Sequence, residues 1–261
     1  MRRSGSTLQY QLVKEIVECK NVGKGLGWVD PQQFHHLRTK HMTGYRFLVI
    51  KCHSYIEEIK ELYSKGEAKA IYSYRDLRDV VVSIMNKNQI SFWQVLRSGY
   101  ITSIIEEYTK WNTLDNILVS QYEDMITDLL QETIRIADYI EIELDETLAS
   151  NIAEKFMIEQ QSKRVQSFNY DELGIQSGGS LYDPTSLLHK NHIHSGKPEQ
   201  WKNILSRLQA GWIENRAYNW LLEKNYPIIQ NWVVRKIALI SYLSLNILQS
   251  PVNLAKKIIG H

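Results

Sequence analysis

Three short runs rich in branched and aromatic residues, Phe47–Ile50, Ala70–Tyr74 and Ile117–Tyr122, are each followed by a longer stretch with helical spacing. A chain that alternates such patterns has few architectures open to it. Successive strands return parallel to one another through covering helices, so the expectation is an α/β fold, a central parallel sheet flanked by helices. The spacing predicts helices over Thr7–Cys19, Tyr55–Tyr63, Leu77–Met85, Phe92–Trp111, Asp124–Tyr139, Asp145–Gln160, Pro198–Ser206 and Ala210–Lys224. Gly23, Gly25 and Gly27, the run Gly174–Ser180 and Asp183-Pro184 read as loops. At 261 residues, 43% hydrophobic and 23% charged, the chain can build one large domain with a sizeable core. A net charge of +2 gives no general argument for a nucleic-acid partner. Cys19 and Cys52 make neither a disulfide framework nor a CxxC metal pattern, and the first residues carry no apolar secretory core, so a cytoplasmic location is expected.

The division expected is one domain over residues 1–226 and a helical tail over 227–261. That tail has no Asp or Glu but carries Arg235, Lys236, Lys256 and Lys257. Its run Ile237–Leu248, about 12 residues, falls short of the roughly 18 or more that spanning a bilayer takes. Three readings stay open: a helix packed on the core or on another copy of the chain, a basic helix in peripheral contact with an anionic membrane surface, and a short or tilted span.

Several places carry chemistry. Arg3-Ser4-Gly5-Ser6-Thr7-Leu8 leads directly into a helical pattern, so backbone N–H groups, hydroxyls and the positive helix end converge where a phosphate or sulfate is held. The alternative is a plain capped helix start. The segment is not GxxxxGK[ST]. Lys51-Cys52-His53 ends an apolar strand, the position at which open α/β sheets bind ligands, and histidine suits proton transfer near neutral pH. A lone histidine there also has a structural reading. Arg75 ends the Ala70–Tyr74 run and Ser83 lies two helical turns into the next element, a pair able to grip a phosphate; the bland alternative is surface salt-bridging among Arg78, Asp76 and Asp79. The histidine groups 35/36/41 and 189/192/194 lack Cys or acidic partners at ligand spacing, so no metal is expected.

Taken together these segments resemble the sulfotransferase family, with its P-loop-like nucleotide-binding fold. Arg3-Ser4-Gly5-Ser6-Thr7 is similar to the family's 5′-phosphosulfate loop, and Arg75 through Ser83 to its 3′-phosphate strand and helix. Lys51-Cys52-His53 stands where cytosolic members carry Lys-Thr-His with the catalytic base. Tyr122-Glu123-Asp124 and Gly196-Lys197-Pro198-Glu199-Gln200-Trp201-Lys202-Asn203 resemble later family segments, in family order. The resemblance implies transfer of a sulfuryl group from 3′-phosphoadenosine-5′-phosphosulfate (PAPS), leaving the desulfated product PAP, to a hydroxyl or amine of a small-molecule, glycan or lipid acceptor, without a metal. It implies that Arg3, Ser4, Gly5, Ser6 and Thr7 hold the 5′ end. Arg75 and Ser83, with His194, Ser195 and Gly196, hold the 3′-phosphate. Tyr122 lies near adenine, His53 is the base, and Lys51 and Arg3 stabilise charge on the group in flight.

The sequence departs from the family pattern at Arg3 (usually Lys), Leu8 (Trp in cytosolic members, leaving Phe156 as a substitute for base stacking), His194-Ser195-Gly196 (Arg-Lys-Gly) and Glu199 (Gly). Only Met1 and Arg2 precede the loop, where a strand is expected; that strand is expected either upstream of residue 1 or lacking. The competing readings are a non-catalytic nucleotide-binding or membrane-associated protein on the same fold and a P-loop kinase. The acceptor and the oligomeric state, including a homo-oligomer, are not legible.

Overall fold

The computed structural model describes residues 1–39, 44–169, 173–175, 181–189 and 196–240. The elements run α1 (Ser6–Cys19), β1 (Gly23–Trp28), α2 (Pro31–Thr39), β2 (Phe47–Lys51), α3 (Glu57–Ser64), β3 (Ile71–Tyr74), α4 (Leu77–Asn88), α5 (Phe92–Arg97), α6 (Tyr100–Trp111), β4 (Leu118–Gln121) and α7 (Tyr122–Thr127). They continue with α8 (Leu129–Tyr139), α9 (Glu146–Lys155), α10 (Ile158–Gln166), β5 (Gly174–Ile175), β6 (Leu181–Tyr182), α11 (Trp201–Ile204), α12 (Arg207–Arg216) and α13 (Tyr218–Glu223). Residues 232–240 form a further helix. The chain divides into two compact units, Met1–Arg75 with Thr102–Pro198, and Asp76–Ile101 with the chain from Glu199 onward.

In the first unit β1 pairs parallel with β2, and β3 parallel with β4, while β5 and β6 form a small antiparallel pair. This is the α/β class that the strand–helix alternation predicts. Helix α1 packs on β1, β2 and β3 and on α8 and α9. Its Leu12, Ile16 and Val17 enter a core with Met125, Leu129, Ile136, Ile140, Ile152 and Phe156. Phe156, the sequence candidate for base stacking, is thus a core side chain.

The Gly23–Gly27 stretch is strand, not loop. A Cβ at Gly23 would lie 2.8 Å from both Val17 Cβ and the Phe47 carbonyl oxygen, and one at Gly25 would lie 2.7 Å from Tyr10 Oη. Glycine is needed at Gly23, where α1 passes close over the strand against fixed atoms, whereas at Gly25 the neighbours are the movable ends of Tyr10 and Lys14. The strand carries a bulge between Gly25 and Gly27, whose N–H groups donate to Glu18 Oε1 and Tyr10 Oη, each at 2.9 Å.

Four of the predicted helices are each two. Gly99, at φ +68°, separates α5 from α6. Asp128 accepts from the Gln131 N–H and so caps α8 afresh after α7. Phe156 and Met157 divide α9 from α10. The Pro198–Ser206 stretch shrinks to the four residues of α11, and Ala210–Lys224 becomes α12 and α13, with α12 starting at a Ser206/Gln209 capping box.

The second unit is organised by Arg78, 1% exposed, on α4. Its guanidinium bonds both carboxylate oxygens of Asp76, Glu214 Oε1 at 2.7 Å and the Pro227 carbonyl at 2.9 Å, and lies 4.1 Å over the Trp201 ring. The Arg78–Asp76 pair is therefore buried, not a surface bridge. Asp79 does something else: its two oxygens accept the N–H groups of Glu199 at 2.7 Å and Trp201 at 3.0 Å. The 232–240 helix meets α12 at Gly211, where a Cβ would lie 3.2 Å from Val234 Cγ1. Among the described residues no helix is long and apolar enough to cross a membrane.

Candidate active site

The first residues of the chain are locked onto β3. Ser4, fully buried, shares a 3.0 Å hydrogen bond with Ser73 Oγ and donates to the Met1 carbonyl at 2.7 Å; the Met1 nitrogen donates to the Ser73 carbonyl at 2.7 Å. Arg3 at φ +63° and Gly5 at φ +82° turn the chain into α1. At Gly5 a side chain would collide with Met125 and with Tyr122 Cδ2, 2.8 Å from the Cβ position. Gly5 is the N-cap, no side chain caps the helix, and its first turn holds no acid. Its positive end is thus neutralised neither by a side-chain cap nor by an acid in its first turn.

Lys51, at the end of β2, is 9% exposed and donates to Thr7 Oγ1 at 2.5 Å. A buried ammonium beside the positive end of a helix is unfavourable by itself; an anion between the two reverses the sign. Next along, burial pushes the Cys52 thiol up to about 12, so it stays protonated and unreactive. His53 is half-buried, its ring edge-on to Trp28 with centroids 4.7 Å apart. The turn behind it is held by Glu107 on α6, which accepts the Tyr55 N–H at 2.6 Å.

At the end of β3, Arg75 is 6% exposed, with its guanidinium 4.3 Å over the Tyr122 ring and Nη2 donating to the Lys197 carbonyl at 2.9 Å. Tyr122 Oη donates to the Gly196 carbonyl at 2.7 Å. The first unit thus brings together Gly5, Tyr122, Arg75 and Gly196, and separately Thr7 and Lys51. Ser83 lies in the second unit, half-buried on α4. His194 and Ser195, like His41 and His192, fall outside the described residues. His189 is buried and bridges to Tyr182. Among the described residues no group of His, Cys, Asp or Glu could hold a metal ion.

Sequence reasoning missed Trp28, Ser73 and Glu107. Trp28 hides at the end of a glycine-rich strand read as loop. Ser73 is visible as a polar residue inside an apolar run, the one signal that could have marked the loop's anchor.

Glu199, in the place of a family glycine, keeps a glycine-like φ of +60°. A left-handed backbone costs a non-glycine residue roughly 1 kcal/mol. The exposed Glu199–Lys202 pair at 2.5 Å offsets little of this. Glu199→Gly is expected to raise stability by ~0.5–1 kcal/mol, read as the midpoint of chemical denaturation. A lower midpoint would mean that the ion pair outweighs the strain.

The family model described as "Sulfotransferase domain" matches residues 1–221. No curated protein matches the sequence. Among solved structures, a mouse sulfotransferase, SULT7A1, complexed with PAP is similar at TM-score 0.62 and 15% identity, covering 94% of this chain and 86% of that one. A retinol dehydratase in complex with androsterone and inactive cofactor PAP is similar at TM-score 0.58 and 20% identity, covering 87% and 80%. The same enzyme name with retinol and PAP gives 0.57 and 18%, covering 88% and 81%. These likenesses agree with the parallel α/β fold. With the matched domain running from the loop through both strand ends to the segment beginning at Gly196, this chain belongs to the sulfotransferase family.

Proposed function

We propose that this chain uses PAPS as sulfuryl donor, with the uncapped start of α1 holding the 5′-phosphosulfate. The observation that carries the reading is the Lys51–Thr7 hydrogen bond, which sets a buried cation against the positive end of that helix. The amides of Ser4, Gly5, Ser6 and Thr7 and the Arg3 guanidinium then bind the 5′ end. Arg75 and Ser83, with His194, Ser195 and Gly196, take the 3′-phosphate, and Tyr122 lies beside the base. The acceptor oxygen or nitrogen bonds to sulfur while the bond from sulfur to the phosphate oxygen of PAP breaks, and the acceptor proton passes to His53. Little covalent work falls to the protein; Lys51 and Arg3 act by stabilising charge on the transferring oxygens. The PAP in three similar structures supports the donor, and their retinol and androsterone support a small apolar alcohol as acceptor.

The test is thermal stability with PAP and with adenosine-5′-phosphate. Saturation at about 100 times the dissociation constant adds roughly 2.7 kcal/mol. PAP is expected to raise the melting temperature much more than adenosine-5′-phosphate. Arg75→Ala is expected to remove most of that difference, lowering PAP affinity about tenfold or more while changing adenosine-5′-phosphate little. Equal shifts by both ligands, or equal losses in the variant, would overturn the 3′-phosphate assignment.

A further inference from the structure

The helix of residues 232–240 turns its apolar side outward. Trp232 is 68% exposed, Val233 43%, Ile237 47% and Ile240 62%. At 3.6 residues per turn these four fall within an arc of about 140°. Lys236, also exposed, projects from the same arc. The opposite side is spent on the protein: Ala238 is 2% exposed, Val234 reaches Gly211, and Arg235 lies 4.5 Å over the Tyr218 ring. The helix is therefore held in a fixed orientation with its hydrophobic side to solvent.

Charge decides what fits this side. Within residues 232–240 there is no Asp or Glu, and Lys236 is the charged residue on the outward arc. A second copy of the chain placed face to face would bring Lys236 against its own counterpart, with no acid on either helix to neutralise it. An anionic lipid surface accepts both parts. Tryptophan and isoleucine enter the boundary between headgroups and acyl chains, and the lysine stem lies along the apolar surface with its ammonium among the headgroups. We propose that residues 232–240 form a docking surface for anionic membranes, with Trp232, Ile237 and Ile240 inserting and Lys236 reading the negative headgroups. The proposal stands on the surface of the second unit and does not depend on the sulfuryl-transfer reading.

The experiment is co-sedimentation of the full chain with phosphatidylcholine vesicles, with and without phosphatidylserine. Binding is expected only with phosphatidylserine and should weaken as salt rises. Lys236→Ala is expected to weaken it about fivefold, and Ile237→Glu by at least about tenfold. Both positions are exposed, so both variants should keep the wild-type melting temperature, which is measured alongside. The proposal is overturned by absence of binding to either vesicle, by equal binding to both, or by variants that bind like the wild type. It is equally overturned if ultracentrifugation shows a dimer that Ile237→Glu disperses, which would make the occupant a second copy.

Discussion

Replacing His53 by alanine should lower turnover with PAPS by roughly 10²–10⁴-fold while the rise in melting temperature with PAP stays as in the wild type. The two readouts separate because the elements assigned to the nucleotide are built without the imidazole. Lys51 is set by Thr7, and Arg75 by Tyr122 and the Lys197 carbonyl. The His53 ring meets Trp28 edge-on, with centroids 4.7 Å apart, and is not a partner in any of those contacts. If PAP no longer stabilises the variant, His53 is a structural residue and the base must be sought elsewhere. If turnover is unchanged, proton removal does not limit the reaction. A wild-type chain that binds PAP and turns over no acceptor would favour the non-catalytic nucleotide-binding reading.

The second large effect concerns stability. Arg78→Ala should destabilise the second unit by about 3–5 kcal/mol, since removing one partner of a buried ion pair leaves uncompensated charge. Here two carboxylates are left, Asp76 and Glu214, 5% and 0% exposed. Glu214 retains the Ile229 and Gln230 N–H groups at 3.1 and 2.8 Å, which soften its loss. Asp76 retains the Arg78 N–H at 2.9 Å. Lysine should rescue only part, because one ammonium cannot reproduce the planar fork that spans both acids while lying on Trp201. The expected fall in melting temperature is on the order of 10 °C. A loss below about 1 kcal/mol would mean that water reaches the acids once the guanidinium is gone.

The residues most legible from sequence were those at strand ends. Lys51, His53 and Arg75 follow apolar runs whose limits are unambiguous, and the structure ends β2 and β3 within a residue of where those runs stop. Less legible was whatever depends on a partner far along the chain. Arg78 beside Asp76 and Asp79 reads as a surface cluster because Glu214, 136 residues away, is invisible to local pattern. The glycines of β1 read as loop because the reason for them is the side chains of α1 passing overhead. Gly99 and Asp128 were legible as a breaker and a cap, but apolar spacing on both sides of each masked the interruption.

The glycines of β1 have a mechanical consequence. Helix α1 is a rod of 14 residues, about 21 Å long. Near its far end Val17 rests on Gly23, and nearer its middle Tyr10 and Lys14 pass over Gly25; its near end carries the loop and Thr7. Its seat at Gly23 is defined by a missing β-carbon set against Val17 Cβ and the Phe47 carbonyl oxygen, so a substitution there must lift the rod and tilt the loop with it. Variants altered in nucleotide affinity are therefore to be sought at Gly23, whose helix partner Val17 lies about 15 Å along the rod from Thr7.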